Sequence, residues 1–212
     1  NEYQFAKIME SEYYLGSRLT RTGSALPEIK HRIGLGHKRA DGLKCLWRGT
    51  GISRRRKLEL VDSLIGSKIL YSLETLNITD SESKRIDAAQ TRIYRRALGL
   101  APPYIAKEQG LEVVKNDELL NLIHLRPHVP WSVRVKRARV RLLNECRRAS
   151  AEEPHKIVLF DQDDNPRHWP GTFIMGSTRR RGTWLQTAQR DENELFLRYE
   201  NGVLHALPYI VH

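Results

Sequence analysis

The sequence predicts a mainly α-helical protein that begins with a short β-hairpin, and two observations support this prediction. Apolar residues recur every three or four positions through three successive segments, which is the period of helices with one buried face. Glycine, proline and capping residues separate these segments at short intervals, so the helices are expected to pack as a compact bundle. With 212 residues, of which 40% are hydrophobic, the chain can bury one sizeable core or two small ones.

Residues 1–23 are expected to be extended, with a hairpin around Gly16. Residues 24–100 are predicted to form a three-helix bundle, and its first helix has Ser24 as N-cap and Pro27 in the first turn. The apolar stripe of this helix comprises Leu26, Ile29, Ile33, Gly36, Ala40, Leu43 and Trp47. The regular spacing of this stripe predicts one continuous buried face.

The second and third helices have clear start and stop signals. Ser53 is the expected N-cap of the second helix, and Thr79 or Ser81 that of the third. Gly99 is placed to end the third helix in a left-handed conformation. The predicted buried positions are Leu58, Val61, Leu64, Ile65, Ile69 and Leu73 in the second helix, and Ile86, Ala89, Ile93, Tyr94 and Ala97 in the third.

The second half of the chain has a weaker pattern. Residues 101–150 are predicted to be a basic helical connector, since Pro102-Pro103 marks a boundary and a strongly basic helix follows over 132–149. Residues 151–212 are predicted to be an irregular α+β extension. Its expected elements are a strand over 157–160, a polar loop over 161–170, a helix over 183–199 and a strand in the last eight residues, HALPYIVH.

The charge of the chain predicts a polyanionic partner. Its 36 Lys and Arg residues exceed its 25 Asp and Glu residues and give a formal net charge of +11. Nucleic acid is the commonest partner of such an excess. Cys45 and Cys146 are isolated, so neither a disulfide framework nor a zinc site is indicated. No apolar run approaches the roughly twenty residues that cross a bilayer, so we expect no membrane insertion.

Four basic clusters are the candidate nucleic-acid-binding residues. The first occupies the opening turn of the second helix, where the helix dipole disfavours cations, so an external phosphate would be a suitable partner. The second extends the third helix, the third forms a stripe along the basic connector helix, and the fourth resembles a flexible arm. The residues are Arg54, Arg55, Arg56 and Lys57; Arg95 and Arg96; Arg134, Arg137, Arg141 and Arg148; and Arg179, Arg180 and Arg181.

The order of several short motifs resembles one protein family. YLG, TG and EIKHRI are followed by LKCLW, then ISRRRKLELVDSLIGSKILYSLET, then RIDAAQTRIYRRALGL. This order is similar to the region after the catalytic palm in non-LTR (LINE-type) retrotransposon reverse transcriptases. NDELLNLIHLRPHVPWSVRVKRARVRLL and RRRGTWLQTAQRDE extend the resemblance more weakly to Glu192. It implies that residues 1–23 are a remnant of the palm end and that residues 24–100 form a thumb-like bundle.

The catalytic motif of that family is not found in this sequence. Reverse transcriptases hold two metal ions on palm carboxylates that include an aromatic-x-Asp-Asp motif. The acidic pair Asp163-Asp164 follows Asp161 where an aromatic residue is required, so we expect a solvated turn there. The chain contains no HExxH, G-x-S-x-G or P-loop motif. We therefore predict no enzyme activity, no cofactor and no metal ion.

These observations favour a non-catalytic, RNA-binding structural component of a large ribonucleoprotein, with a mitochondrial ribosome as the expected host. RNA, in particular rRNA, would be held through its phosphates beside neighbouring proteins of the assembly. Two alternatives stay open. One is the C-terminal fragment of an active retrotransposon reverse transcriptase, and the other is a protein-binding accessory subunit of an organellar membrane complex. The expected location is mitochondrial, and otherwise nuclear or cytoplasmic.

Overall fold

A computed structural model describes residues 11–14, 16–49, 51–121, 129–167, 182–195, 197–200 and 203–206. The described chain is mainly helical and begins with a two-stranded antiparallel hairpin, which confirms the predicted fold class. A three-helix bundle follows, then a long basic helix and a C-terminal portion that contains both helix and strand. None of the helices in these ranges is both long and apolar enough to cross a membrane.

The N-terminal hairpin pairs β1 (Ser11–Tyr14) with β2 (Ser17–Thr20), so that Ser11 lies opposite Thr20. Gly16 in the connecting turn has a φ of 79°, a left-handed value that an L side chain rarely adopts. The predicted turn at Gly16 is therefore correct, and its conformation explains why glycine occupies this position.

The hairpin is fastened to the first helix, α1 (Leu26–Gly42), by a buried ion pair. The Glu28 carboxylate accepts a hydrogen bond from the Arg18 backbone N–H at 2.9 Å and another from Arg32 Nε at 2.6 Å. The Arg32 guanidinium also donates to the Gly16 carbonyl and lies 4.8 Å from the centre of the Tyr71 ring. One arginine thus joins the hairpin, α1 and the end of the second helical segment.

The first two helices of the bundle are each interrupted. The first consists of α1 and α2 (Lys44–Arg48), and the second of α3 (Arg54–Val61), a π-helical turn (Asp62–Gly66) and α4 (Ser67–Leu70). The two pack closely at Gly36, where an added Cβ would lie 2.2 Å from Ile69 Cδ1. A glycine in a helix usually costs about 1 kcal/mol relative to alanine, and here it permits this close approach.

The third helix, α5 (Asp80–Leu98), has the start and stop that the sequence predicts. Thr79 and Glu82 form a reciprocal capping box, and Gly99 ends the helix with a φ of 71°. Ser53 also caps α3 as predicted, but Ser24 does not cap α1, whose N-cap is Ala25.

The apolar stripes of these helices meet in one core. Leu26, Ile33 and Leu43 of the first stripe and Leu64 of the second are partly buried, and the other predicted positions of the three stripes are fully buried. The buried apolar residues that extend this core beyond the bundle include Ile78, Leu119, Trp131 and Val135. Because the stripes continue into the connector, residues of the predicted connector belong to the same core as the bundle.

Two short helices and one long helix form the connector: α6 (Pro103–Glu108), α7 (Asn116–Asn121) and α8 (Trp131–Arg148). The start of α8 is fixed on α5, since the Asp87 carboxylate accepts hydrogen bonds from both the backbone N–H and the hydroxyl of Ser132. The free N–H groups of this helix start are thus satisfied by a side chain of another helix.

The C-terminal portion differs from the prediction in two places. Residues 157–160 were predicted as a strand, but α9 (Pro154–Leu159) is helical because a proline at its first turn is already in helical φ and begins the helix. The helix predicted over 183–199 is shorter, since α10 (Trp184–Glu194) ends before β3 (Leu197–Glu200). The last strand, β4 (Val203–Ala206), overlaps the predicted one, and residues 207–212 lie outside the described residues.

Candidate nucleic-acid interface

The four cations at the start of α3 do not have equal access to a ligand. Arg55 Nε and Arg56 Nη1 bind the Glu59 carboxylate at 3.1 and 3.0 Å, and all three side chains remain exposed. These contacts lower the pKa of Glu59, chiefly through the hydrogen bond from Arg56 and then that from Arg55. Lys57 Nζ donates to the Trp47 carbonyl at 2.6 Å.

Arg54 is the exposed member of this cluster that has no partner among the described residues. The cluster still carries three more positive charges than negative ones, at a helix end whose dipole is also positive. The arrangement is therefore unfavourable within the protein itself and suited to an anion.

Arg95 is not a surface residue, and its burial argues against the predicted contact with nucleic acid. It is 4% exposed, and its Nη2 donates to the Val114 carbonyl at 2.7 Å and to Asn116 Oδ1 at 2.8 Å. Burial lowers the pKa of its guanidinium. Arg95 instead holds the segment that follows α5 against that helix.

Arg96 and Arg92 line a cleft of about 600 Å³ at the C-terminal half of α5. Arg96 Nη1 lies 2.9 Å from Asp41 Oδ1, whereas Arg92 is exposed and has no partner among the described residues. His37 on α1 also borders this cleft. Burial, followed by the charges of Arg96 and Arg92, lowers the pKa of His37. The cleft is thus an electropositive site whose lining includes two predicted residues, the buried Arg95 and the exposed Arg96.

The stripe predicted along α8 is real, but its first member is engaged. The Asp62 carboxylate accepts hydrogen bonds from Arg134, from Trp131 Nε1 at 2.9 Å and from the Tyr94 hydroxyl at 2.7 Å. Burial and the nearby Asp62 charge raise the pKa of Tyr94. Arg134 therefore helps to hold α8 on the π-helical turn.

The other three arginines of the stripe lie together on the outer side of α8. At 100° per residue, Arg137, Arg141 and Arg148 fall within one narrow sector of the helix. Arg137 and Arg141 have no partner among the described residues, and Arg148 Nε donates to the Asn144 carbonyl at 3.3 Å. We call these three residues the outer face of α8; Arg137 and Arg141 are its members that meet no carboxylate among the described residues.

A second set of cations on α8 pairs with the carboxylates of α10, and sequence reasoning missed these pairs. We call this set the inner face. Its ion pairs are Lys136–Glu194, Arg139–Asp191 and Arg147–Glu192. The matching periods of the basic residues on α8 and the acidic residues on α10 were a possible signal. The sequence does not show, however, that residues 45 to 58 positions apart come into contact.

The pair formed by Arg139 and Asp191 lies deepest, with side chains that are 2% and 0% exposed. Arg139 also donates to the carbonyls of Glu74 and Leu76, so it links α8 and α10 to the turn after α4. Burial lowers the pKa of Arg139 and raises that of Asp191, and in both cases the partner's charge opposes the effect of burial.

The fourth predicted cluster lies outside the described residues; it comprises Arg179, Arg180 and Arg181. Asp163 and Asp164 are exposed in a turn closed by hydrogen bonds to Asp161 Oδ1, which agrees with the predicted solvated turn. Among the described residues, no three His, Cys, Asp or Glu side chains are grouped so that they could hold a metal ion.

The chain matches no protein-family model, no curated protein and no solved structure. The resemblance to reverse transcriptases therefore stays a prediction that depends on the short motifs, and the case for a function depends on the geometry of the basic surfaces.

Proposed function

We propose that this chain is a non-catalytic, RNA-binding structural component of a large ribonucleoprotein. The observation that supports this most directly is a set of exposed or half-buried arginines that have no carboxylate partner among the described residues. They are Arg54 at the start of α3, Arg92 on α5, and Arg137 and Arg141 on α8. Guanidinium groups bind phosphate oxygens in a bidentate geometry, so these side chains are suited to an RNA backbone.

Two of these surfaces border the same segment of the protein. Arg96 pairs with Asp41 near the end of α1, and Lys57 at the start of α3 donates to the carbonyl of Trp47 in α2. The cleft and the α3 cluster are thus separated by one short helical segment, which itself contains the exposed cations Lys44 and Arg48. A backbone that follows this side would meet cations along its path, with contacts to phosphate and shape rather than to base sequence.

The proposed host is a mitochondrial ribosome, in which the chain would contact rRNA and neighbouring proteins. The resemblance to the thumb of a retroelement reverse transcriptase supports an origin in template–primer binding. The order of the helices and their caps is compatible with such a thumb. Co-sedimentation of the native protein with mitochondrial rRNA is expected. Association with a respiratory or photosynthetic complex free of rRNA would instead favour an accessory subunit.

A second candidate is the C-terminal part of an active reverse transcriptase, which the same resemblance favours. The gene distinguishes the RNA-binding component from the polymerase fragment, because only the polymerase requires an upstream catalytic palm. An upstream reading frame that encodes an aromatic-x-Asp-Asp motif continuous with this chain would establish the polymerase and exclude the non-catalytic role.

RNA affinity measured as a function of salt tests the proposal. We expect the logarithm of the RNA association constant to fall linearly with the logarithm of the salt concentration. The slope should be about −0.7 for each phosphate contacted on a single strand. Arg54→Ala should make this slope less steep, and Glu145→Gln, which removes an exposed carboxylate, should not. Absence of binding, or binding that is flat with salt, would exclude the proposed function.

A further inference from the structure

The cleft on α5 has features that a general phosphate-binding surface does not need. Its volume of about 600 Å³ falls within the range of pockets that hold small organic ligands. Arg92 and Arg96 line one side, and Tyr104 in the first turn of α6 lines another. Tyr104 is 68% exposed, so its ring is accessible to a ligand in the cleft.

The two sides of the cleft are held in a fixed relation by Arg95. Its guanidinium bonds to Val114 and Asn116, and its carbonyl accepts a hydrogen bond from the Leu100 N–H at 2.9 Å. The two prolines before Tyr104 restrict the backbone further. Because the segment that contains Tyr104 is fastened to α5 by a buried arginine, the cleft exists before any ligand arrives.

The charges of the cleft favour an anion at the side formed by α5. Asp41 offsets one positive charge, and Arg92 remains without a carboxylate among the described residues. Partial burial, followed by the charges of Arg96 and Arg92, lowers the pKa of the His37 side chain, which also lines this cleft. A phosphate at this side would replace unfavourable contacts between cations by charge-assisted hydrogen bonds.

We propose that this cleft binds one unpaired nucleotide, with its phosphate on Arg92 and Arg96 and its base on the ring of Tyr104. A stacked base supplies apolar contact for the exposed ring, and aromatic side chains are the usual partners of unpaired bases in single-stranded RNA. The inference rests on the proposed function for the source of that nucleotide, which would be a single-stranded segment of the bound RNA. A free nucleotide has the same chemistry, and a comparison of mononucleotide with RNA ligands distinguishes the two sources.

Binding of small probes tests the cleft itself. AMP, ribose 5-phosphate and inorganic phosphate would be titrated into the full chain by calorimetry. We expect AMP to bind about tenfold more tightly than ribose 5-phosphate, because only AMP offers a base to stack. Tyr104→Ala should abolish this preference and Tyr104→Phe should keep it.

Arg92→Ala and Arg85→Ala form a matched pair for the phosphate. Both residues are exposed on α5, and a spacing of seven residues, about two helical turns, places them on the same side of the helix. Arg85 does not line the cleft. Arg92→Ala should weaken AMP and ribose 5-phosphate alike, by about tenfold. Equal losses in the two variants, or equal affinities for AMP and ribose 5-phosphate in the wild type, would overturn the inference.

RNA ligands identify the source of the nucleotide. Arg92→Ala and Tyr104→Ala should each weaken single-stranded RNA about tenfold and duplex RNA of equal length by less than about twofold, since a paired base is not free to stack. Salt-dependent RNA binding that neither variant alters would overturn this inference and leave the proposed function standing. If the chain binds AMP at the cleft but binds no RNA, the proposed function is excluded. The cleft is then a site for a free nucleotide, and RNA is not the source of its ligand.

Discussion

The inner and outer faces of α8 carry similar cations but differ in whether those cations pair with carboxylates. Lys136, Arg139 and Arg147 on the inner face each meet a carboxylate of α10, whereas Arg137 and Arg141 on the outer face meet none among the described residues. The sequence WSVRVKRARVRLLNECRR does not distinguish the two faces by composition. The distinction comes from the acidic helix α10, which approaches α8 from one side only.

This difference shows that a count of basic residues overestimates the surface offered to a polyanion. The three cations of the inner face are balanced by three carboxylates of α10, so together they add nothing to the net charge of +11 and stabilise the fold. The outer face is not neutralised and retains its field. Variants that separate the two faces therefore test both the fold and the proposed function.

The largest effect is expected at the buried ion pair of the inner face. Arg139→Met should lower the free energy of unfolding by about 3–5 kcal/mol, because it leaves the Asp191 carboxylate buried without its counter-charge. Urea denaturation followed by circular dichroism measures this loss.

Two controls accompany this variant. The double variant Arg139→Met with Asp191→Leu should recover most of the stability, since an apolar pair can replace a buried ion pair. Arg55→Ala removes an exposed ion pair on α3 and should cost less than about 1 kcal/mol. An Arg139→Met variant that is as stable as Arg55→Ala would contradict the role assigned to the inner face.

An intermediate effect is expected on RNA binding by the outer face. The double variant Arg137→Ala with Arg141→Ala should weaken RNA binding about tenfold and reduce the salt slope by about 1.4, which corresponds to two phosphates on a single strand. Lys136→Ala with Arg147→Ala removes the same net charge from the same helix. Filter binding at several salt concentrations compares the two.

The comparison of these double variants has two clear outcomes. A loss confined to the outer face means that arginines without a carboxylate partner bind the RNA. Equal losses would mean that only the overall charge matters, and the distinction between the faces would then have no functional meaning.

The bundle was predictable because its signals are local. Capping boxes, a terminal glycine and apolar residues at helical spacing are all contained within a few turns of chain, and they place α5 correctly at both ends. The short run over 157–160 was not predictable, because four apolar residues fit a helix or a strand equally well and the preceding Pro154 decides the outcome.

The candidate site was only partly predictable for a different reason. Arg95 and Arg96 are adjacent in the sequence, yet one is buried and the other exposed, because successive residues of a helix point 100° apart. Arg92, four positions before Arg96, shares its side of the helix, and this spacing was the available signal for the cleft. The pairing of α8 with α10 had no such signal, since it depends on tertiary contact.

The smallest expected effect concerns His37, which lies beside Arg92 and Arg96. These two cations have one carboxylate between them, that of Asp41, whereas each cation of the inner face has its own. The pKa of His37 is lowered by burial and by Arg96 and Arg92, so the unfolded chain binds a proton at a higher pH than the folded one. Stability should therefore fall as the pH decreases from about 6.5, the ordinary pKa of histidine, through the lowered value. The loss should stay below about 1 kcal/mol because the cleft is open to solvent. Denaturation of the wild type and of His37→Gln between these pH values measures it, and AMP should reduce the loss by placing a negative charge beside the imidazolium. A pH dependence identical in the two proteins would contradict the lowered pKa of His37.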